Sequence, residues 1–306
     1  MIKIALLLSG EMREYKKCYK NLYNFIGSHN DIDVFLTTWD KYGGRIYESK
    51  KTFNNNIIDI KDLINLLKPK IINVLSKKTW NDERSKTLKI SENVCESNYG
   101  VLIQTYLWLI TFLEFKKYKI ENGITYDIII RTRPDIFVKN INVDYKLLDI
   151  NYMYSYYYGC KKSYAKPKYE EIMTNTINKI IIPEHKKFKT NIITDLYLKK
   201  LNLYRFKNLI DFNIIDIKKD MQFVNCDSII DWFNISNFKN IEIQSYSFLI
   251  YLLFLQNNKA DLFLKGKTNL QNRVNMMFYI CSINNIKGKI FPKEFAHIVY
   301  NNKQYL

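Results

Sequence analysis

"IKIALLLSGEMREYKKCYKNLYNFIGSHNDIDVFLTTWD" (residues 2–40) predicts the fold class of this chain. The apolar run at its start ends in Ser9 and Gly10, which is typical of a buried parallel strand that runs into a tight turn. A stretch with helical spacing of apolar side chains follows and ends at Gly27, with Ser9 as a candidate N-cap. A second apolar run, residues 32–39, predicts another strand. Strand, helix and strand in this order form a βαβ unit.

The alternation of strand and helix continues through the N-terminal half. The patterns predict a helix at residues 57–69, a strand at 70–75, a long helix at 100–123 and a strand at 126–131. We therefore expect an α/β fold with a mostly parallel, Rossmann-like sheet flanked by helices.

The C-terminal half has a looser pattern, and we expect it to be more helical. Helices are predicted at residues 194–210 and 245–258, and residues 221–234 predict a strand followed by a helix. Since no linker rich in Gly, Pro or Ser occurs, we expect residues 1–306 to form a single domain with halves 1–140 and 141–306.

The formal net charge of +17 admits two interpretations. Lys, Asn, Ile and Tyr are abundant together, as an AT-rich genome would produce, and the excess Lys would then cover an ordinary solvated surface. The functional interpretation is an anionic partner: a nucleic acid, an acidic membrane face or a phosphate-bearing substrate. Lys is spread along the whole chain rather than concentrated, so no nucleic-acid partner is expected.

Cysteine spacing and apolar segments indicate the compartment. The five cysteines are widely spaced without a CxxC pair and only three His occur, so a structural zinc site is not indicated and reduced, cytoplasmic thiols are expected. The apolar run at the N-terminus is too short for a signal peptide, and residues 246–256 reach about half a membrane span. We expect no transmembrane segment, and peripheral membrane contact stays open.

Polar side chains follow three of the predicted strands. Ligands of open parallel sheets bind beyond the carboxyl ends of the strands, so these side chains are candidate ligand contacts. They are Ser9, Gly10 and Arg13 after the first strand, Thr37–Asp40 after the second, and Arg131–Asp135 after the strand that begins at Tyr126.

Arg131 and Arg133 lie on one face of their strand by period-2 alternation. Two guanidinium groups there would suit a diphosphate through bidentate hydrogen bonds. Asp135 follows directly, where one carboxylate would hold a divalent cation that bridges phosphate oxygens. The alternative is an Arg–Asp cluster that closes a sheet edge.

Residues 3–40 together with "YDIIIRTRPDIFV" (Tyr126–Val138) resemble GT-A-like glycosyltransferases encoded in bacterial surface-polysaccharide loci and in large DNA viruses. The shared pattern is a first strand ending in SGxxR, a DVFxxTW strand, a long Gln-containing helix and YDxxxRxRxD, and it covers roughly residues 1–140. This chain supplies Ser9, Gly10, Arg13, Asp33–Trp39, Gln104 and Tyr126–Asp135.

The resemblance implies a GT-A fold, a nucleotide-sugar donor and often Mn²⁺ or Mg²⁺ held by an Asp-x-Asp motif. Here the motif reads Arg133-Pro134-Asp135, so the first acid is missing and Asp135 is the one candidate metal ligand. Residues 1–140 would bind the nucleotide and residues 141–306 the acceptor. The candidate donor-binding residues are Ser9, Gly10, Arg13, Thr38, Trp39, Gln104, Arg131 and Arg133, with Asp135 near the diphosphate.

Three carboxylates in the C-terminal half are further candidates for catalysis. Asp220, Asp227 or Glu242 would hold the acceptor hydroxyl or act as the base, because an inverting transferase needs one carboxylate within hydrogen-bonding reach of its nucleophile. Helix capping explains Asp227 equally well, since it precedes an apolar stretch.

The leading prediction is a cytoplasmic glycosyltransferase that moves a sugar from a nucleotide diphosphate to a glycan acceptor. For a viral protein the compartment would be the host cytoplasm. Two alternatives are a basic nucleic-acid-binding protein and a catalytically degenerate transferase fold that acts as an interaction module.

Overall fold

A computed structural model describes residues 1–13, 15–27, 30–47, 50–80, 96–138, 144–155, 195–211, 233–249, 284, 286–290 and 298–299. The strands are β1 (Lys3–Ser9), β2 (Asp31–Trp39), β3 (Lys41–Tyr47), β4 (Lys50–Ile57), β5 (Ile71–Leu75), β6 (Ile128–Thr132), β7 (Phe137–Val138), β8 (Met153–Ser155), β9 (Phe233–Ser236), β10 (Gly288–Ile290) and β11 (Ile298–Val299). The helices are α1 (Tyr15–Ile26), α2 (Ile60–Leu67), the single turn α3 (Lys77–Thr79), α4 (Glu96–Glu121), α5 (Asp195–Lys200) and α6 (Phe238–Ser245).

Seven strands form one sheet in the order β10-β8-β9-β6-β1-β2-β5. Strands β5, β2, β1 and β6 are parallel, β10 is parallel to β8, and β9 runs antiparallel between β6 and β8. The predicted α/β fold with a mostly parallel sheet is therefore confirmed. Two small antiparallel pairs, β3 with β4 and β7 with β11, lie outside this sheet.

Strand β1 lies inside the sheet, between β6 and β2, and its apolar run is buried on both faces. Ile4, Leu6 and Leu8 belong to a core that also contains Leu22 and Phe25 of α1. The other face packs against α4, which contacts β1, β2 and β5. The mostly apolar surface of α4 thus reflects a helix that is buried for most of its length.

The predicted helix boundary after Ser9 is wrong. Helix α1 begins at Tyr15, and Ser9 is the last residue of β1 rather than an N-cap. Arg13 therefore lies in the loop before the helix. The segment between β1 and α1 is fixed by side-chain contacts instead of helical hydrogen bonds. Met12 is buried, and the Arg13 side chain is held by Glu11 and Asp135.

The C-terminal half departs from the prediction as well. Phe233 and Asn234, predicted as helix, belong to strand β9, which is buried on both faces. A short apolar run does not distinguish a buried strand from a buried helix. The predicted helix at residues 194–210 is present as α5 and a 3-10 helix at Tyr204–Leu209, separated at Asn202, where φ is 59°. The described residues do not confirm a more helical C-terminal half.

The described helices include none with the length and hydropathy that crossing a bilayer requires.

Candidate functional site

The strand order reverses between β1 and β6. Strands β2 and β5 extend the sheet on one side of β1, and β6 lies on the other. In open α/β sheets the crevice for ligands opens beyond the carboxyl ends of the strands at such a switch point. The first four strands of this sheet in chain order are arranged 3-2-1-4, as in a dinucleotide-binding sheet.

Gly10 allows the chain segments after β1 and β6 to approach each other at this point. Its φ is +144°, and its N–H donates to the Thr37 carbonyl at 3.2 Å. A Cβ built on Gly10 would lie 3.4 Å from Pro134 Cδ and 3.7 Å from Arg133 Cγ. The backbone conformation and the close approach both favour glycine.

Five charged side chains meet at the same edge, and we call them the ionic cluster: Glu11, Arg13, Lys77, Arg133 and Asp135. Lys77 Nζ donates to Glu11 Oε1 at 2.6 Å, and Arg13 Nε donates to Glu11 Oε2 at 2.8 Å. Arg133 binds Asp135 in a bidentate manner, with Nε–Oδ1 at 2.9 Å and Nη2–Oδ2 at 2.7 Å. Arg13 Nη1 contacts Asp135 Oδ2 at 3.4 Å. The signs alternate along the chain of contacts.

Accessibility divides the ionic cluster into two parts. The side chain of Asp135 is 1% exposed and that of Arg133 is 6% exposed. Arg13 and Lys77 keep 22% and 30% of their side chains exposed. Three cations and two carboxylates leave a net charge of 3 − 2 = +1. The cations that a solute can reach are therefore Arg13 and Lys77.

Neighbouring polar groups hold the loops that carry the ionic cluster. Asp40 Oδ1 accepts from the Lys77 N–H at 3.1 Å, which joins the end of β2 to the turn after β5. Gln104 Nε2 donates to the Ser9 carbonyl at 3.2 Å and so joins α4 to the end of β1. Gln104 thus lies close to Ser9, Gly10 and Arg133, which belong to the same candidate donor-binding set.

A row of polar side chains lies one level below this edge. Ser9 pairs with Thr37, and Thr37 pairs with Asn73, so the three side chains share one face across β1, β2 and β5. Ser9 Oγ, Thr37 Oγ1 and Asn73 Nδ2 are buried atoms without a hydrogen-bond partner among the described residues. Buried polar atoms of this kind ordinarily bind water or a ligand.

Arg131 is held inside the protein rather than at the edge. Its guanidinium carbon lies 3.9 Å from the centroid of the Trp108 ring, and its Nε donates to Gln244 Oε1 at 2.8 Å. Only 1% of the residue is exposed. The structure therefore separates Arg131 from the ionic cluster and makes it a link between β6, α4 and α6.

Thr38 and Trp39 are also buried. Trp39 packs on Trp80, with ring centroids 6.1 Å apart, and Trp80 packs on Tyr106 at 4.5 Å. The Thr38 hydroxyl donates to the Trp39 carbonyl at 3.4 Å. Trp39 thus contributes to an aromatic cluster beneath the strand ends.

Glu242 lies away from the ionic cluster. Its carboxylate accepts from Lys116 of α4 and from the Tyr246 hydroxyl, the latter at 3.1 Å. Burial, and then the Glu242 carboxylate, raise the pKa of Tyr246, which keeps this donor protonated. Lys116 is 12 residues beyond Gln104 in α4, about 18 Å along the helix axis. Asp220 and Asp227 lie outside the described residues.

Asp135, the one candidate metal ligand, is bound by arginine side chains in this arrangement. Both of its oxygens accept hydrogen bonds from Arg133, and Arg13 contacts one of them. A cation would have to displace a guanidinium group. Within the described part of the chain no group of three or more His, Cys, Asp or Glu side chains is suited to a metal.

Glu11 and Lys77 are the members of the ionic cluster that the sequence patterns do not single out. Lys77 follows the strand predicted at residues 70–75, so the strand-end rule that indicates the other three loops applies to it too. Glu11 offers no such signal, because its role depends on the positions of Arg13 and Lys77.

No protein-family model matches the chain, and no curated protein matches it.

Proposed function

We propose that this protein is a glycosyltransferase that takes a sugar from a nucleotide-diphosphate donor and passes it to a glycan acceptor. The fold would be of the GT-A type, with the donor bound beyond β1 and β6. Residues 141–306 would contribute the acceptor side.

The observation that carries the proposal is the ionic cluster at the switch point of the sheet. Arg13 and Lys77 offer cationic side chains there that a solute can reach, and such groups bind phosphate oxygens through charge-assisted hydrogen bonds. Gly10 lets Pro134 and Arg133 approach the end of β1, and the Ser9 hydroxyl, buried beneath this edge, has no partner among the described residues. A diphosphate with a polar substituent matches these groups in charge and hydrogen bonding.

The chemistry would consist mainly of leaving-group stabilisation. When the sugar–oxygen bond breaks, negative charge develops on the diphosphate, and preorganised cations lower the barrier most at that moment. In an inverting reaction a carboxylate would take the proton of the acceptor hydroxyl. Asp220 and Asp227 remain the candidates, since Glu242 is engaged with Lys116 and Tyr246.

The test is donor hydrolysis by the full chain with a panel of nucleotide sugars. We expect one of them to release nucleoside diphosphate, and we expect Arg13→Gln to lower kcat/KM about tenfold or more, as the loss of a charge-assisted phosphate contact predicts. Arg205→Gln is the matched control, because Arg205 pairs with Glu114 elsewhere in the fold. Equal activity of the two variants would contradict the assigned role of Arg13.

Binding assays separate the proposal from its alternatives. A nucleic-acid-binding protein would bind oligonucleotides with an affinity that falls steeply with salt. An interaction module with a degenerate site would bind no nucleotide at all. Binding confined to nucleotide sugars supports a transferase.

A further inference from the structure

Lys77 is placed to bind the same anion as Arg13. Both side chains contact Glu11, one at each carboxylate oxygen, so they are held next to each other. Lys77 uses one of its three ammonium donors in this contact. Arg13 keeps donors on Nη1, whose only contact in the described cluster is the long one to Asp135 at 3.4 Å.

The Glu11 carboxylate is held in a confined position between the two cations. It lies beneath Gly43 of strand β3, where a Cβ would overlap the Glu11 carboxylate. Gly43 has a φ of +85°, which glycine adopts without strain. The side chain of Glu11 is 16% exposed. A carboxylate confined in this way holds the long side chains of Arg13 and Lys77 in one geometry. These side chains then lose less conformational entropy when a ligand binds.

Both carboxylates of the ionic cluster are already satisfied by cations. Glu11 is bound by Lys77 and Arg13, and Asp135 is bound by Arg133 and Arg13. A divalent metal would have to displace a cation from each. The accessible cations Arg13 and Lys77 would instead neutralise the phosphate charge, which is the role that a metal would have.

We infer that Arg13 and Lys77 form a phosphate clamp that holds a diphosphate without a divalent metal, and that Glu11 is the residue that positions both of them. The inference rests on the proposed function and specifies how the donor is bound. Lys77 is then a binding residue, and Glu11 acts through its two neighbours.

The experiment is calorimetric titration of the full chain with inorganic pyrophosphate in the presence of EDTA. We expect the wild-type protein to bind, Lys77→Met to weaken the affinity about tenfold or more, and Lys77→Arg to restore it to within about threefold. The matched control is Lys78→Met, an exposed neighbour that changes the net charge equally. We expect the control to stay within about twofold of the wild type.

Glu11→Gln distinguishes positioning from simple electrostatics. The substitution raises the net charge of the ionic cluster from +1 to 3 − 1 = +2, so electrostatic attraction alone predicts tighter binding. Positioning predicts weaker binding, by about tenfold, because both cations lose their common partner. Thermal unfolding of each variant without ligand shows whether it is folded.

Three results would overturn the inference: no binding of pyrophosphate in EDTA, binding that appears only with Mn²⁺, or equal affinities of Lys77→Met and Lys78→Met. These outcomes can be distinguished from a failure of the proposed function. Pyrophosphate binding with no hydrolysis of any nucleotide sugar would support the clamp and contradict the proposed transferase function. Donor hydrolysis that strictly requires Mn²⁺ would support the transferase function and contradict a clamp that works without a metal.

Discussion

Asp33 is a buried carboxylate near the amino-terminal ends of β1 and β2, away from the ionic cluster. Tyr126 donates to its Oδ2 at 2.8 Å, and Lys3 and Lys70 lie at 3.2 Å and 3.4 Å. Burial alone would raise the pKa of Asp33, but the hydrogen bonds from Tyr126 and Lys3, with the charges of Lys3 and Lys70, outweigh it and hold the pKa below its usual range. Folding therefore favours the ionised form.

The sign of the pH effect follows from this lowered pKa. Asp33 stabilises the fold above the unfolded-state pKa of about 4, and the contribution is lost as the pH falls through the folded-state pKa. We expect Asp33→Asn to lower the free energy of unfolding by about 1.5–3 kcal/mol at pH 7, with a smaller difference at pH 3. Urea unfolding at several pH values measures it.

Asp31→Asn is the control, since Asp31 pairs with the same Lys3 but its side chain is 48% exposed. An exposed pair contributes less than about 1 kcal/mol. A difference between wild type and Asp33→Asn that is constant from pH 3 to pH 7 would contradict the assignment.

The site residues differ in how far their roles can be predicted from the sequence. Arg13, Arg133 and Asp135 are predictable because each follows an apolar strand, and the strand-end rule places them at one edge. Arg131 satisfies the same rule, yet it is enclosed by Trp108 and Gln244. The rule gives the edge of the sheet, whereas contacts with α4 and α6 enclose Arg131 and leave Arg133 to join the ionic cluster.

The β3–β4 hairpin is an element that the sequence patterns do not predict. Its strands lack a clean alternation of apolar and polar residues, and among the strands that the structure describes they pair only with each other. It follows β2 directly, and Gly43 places its backbone against the Glu11 carboxylate. The hairpin therefore reaches the candidate site, although it lies outside the main sheet.

Gly43→Ala tests this contact. The positive φ of +85° costs alanine about 1 kcal/mol or more, and the new Cβ must displace Glu11. We expect lower stability together with about tenfold weaker pyrophosphate binding. Gly123→Ala is the matched control, because Gly123 also has a positive φ, 62°, but a Cβ there has no atom within 4 Å. Unchanged pyrophosphate affinity in Gly43→Ala would show that the hairpin does not contribute to the site.

The main sheet joins the two halves of the chain. The local patterns predict β1, β2, β5 and β6, because each is an apolar run that is followed by polar residues. They do not predict that β9, only four residues long, inserts antiparallel between β6 and β8. Such pairing is set by contacts between residues distant in sequence, such as Arg131 with Asn234, and by the α6 segment that brings Gln244 to Arg131.

This topology predicts that residues 1–140 do not fold as an independent unit. Removing the rest of the chain would expose the edge of β6, whose five residues are all buried, and would leave Arg131 without Gln244. We expect the truncated chain to lack a cooperative thermal transition and near-ultraviolet circular dichroism, and to recover both when residues 141–306 are supplied as a separate chain. The two halves would then form one cooperative unit. A cooperative transition of residues 1–140 alone, with the same midpoint as the full chain, would show instead that β9 and α6 only cover a sheet that is already stable.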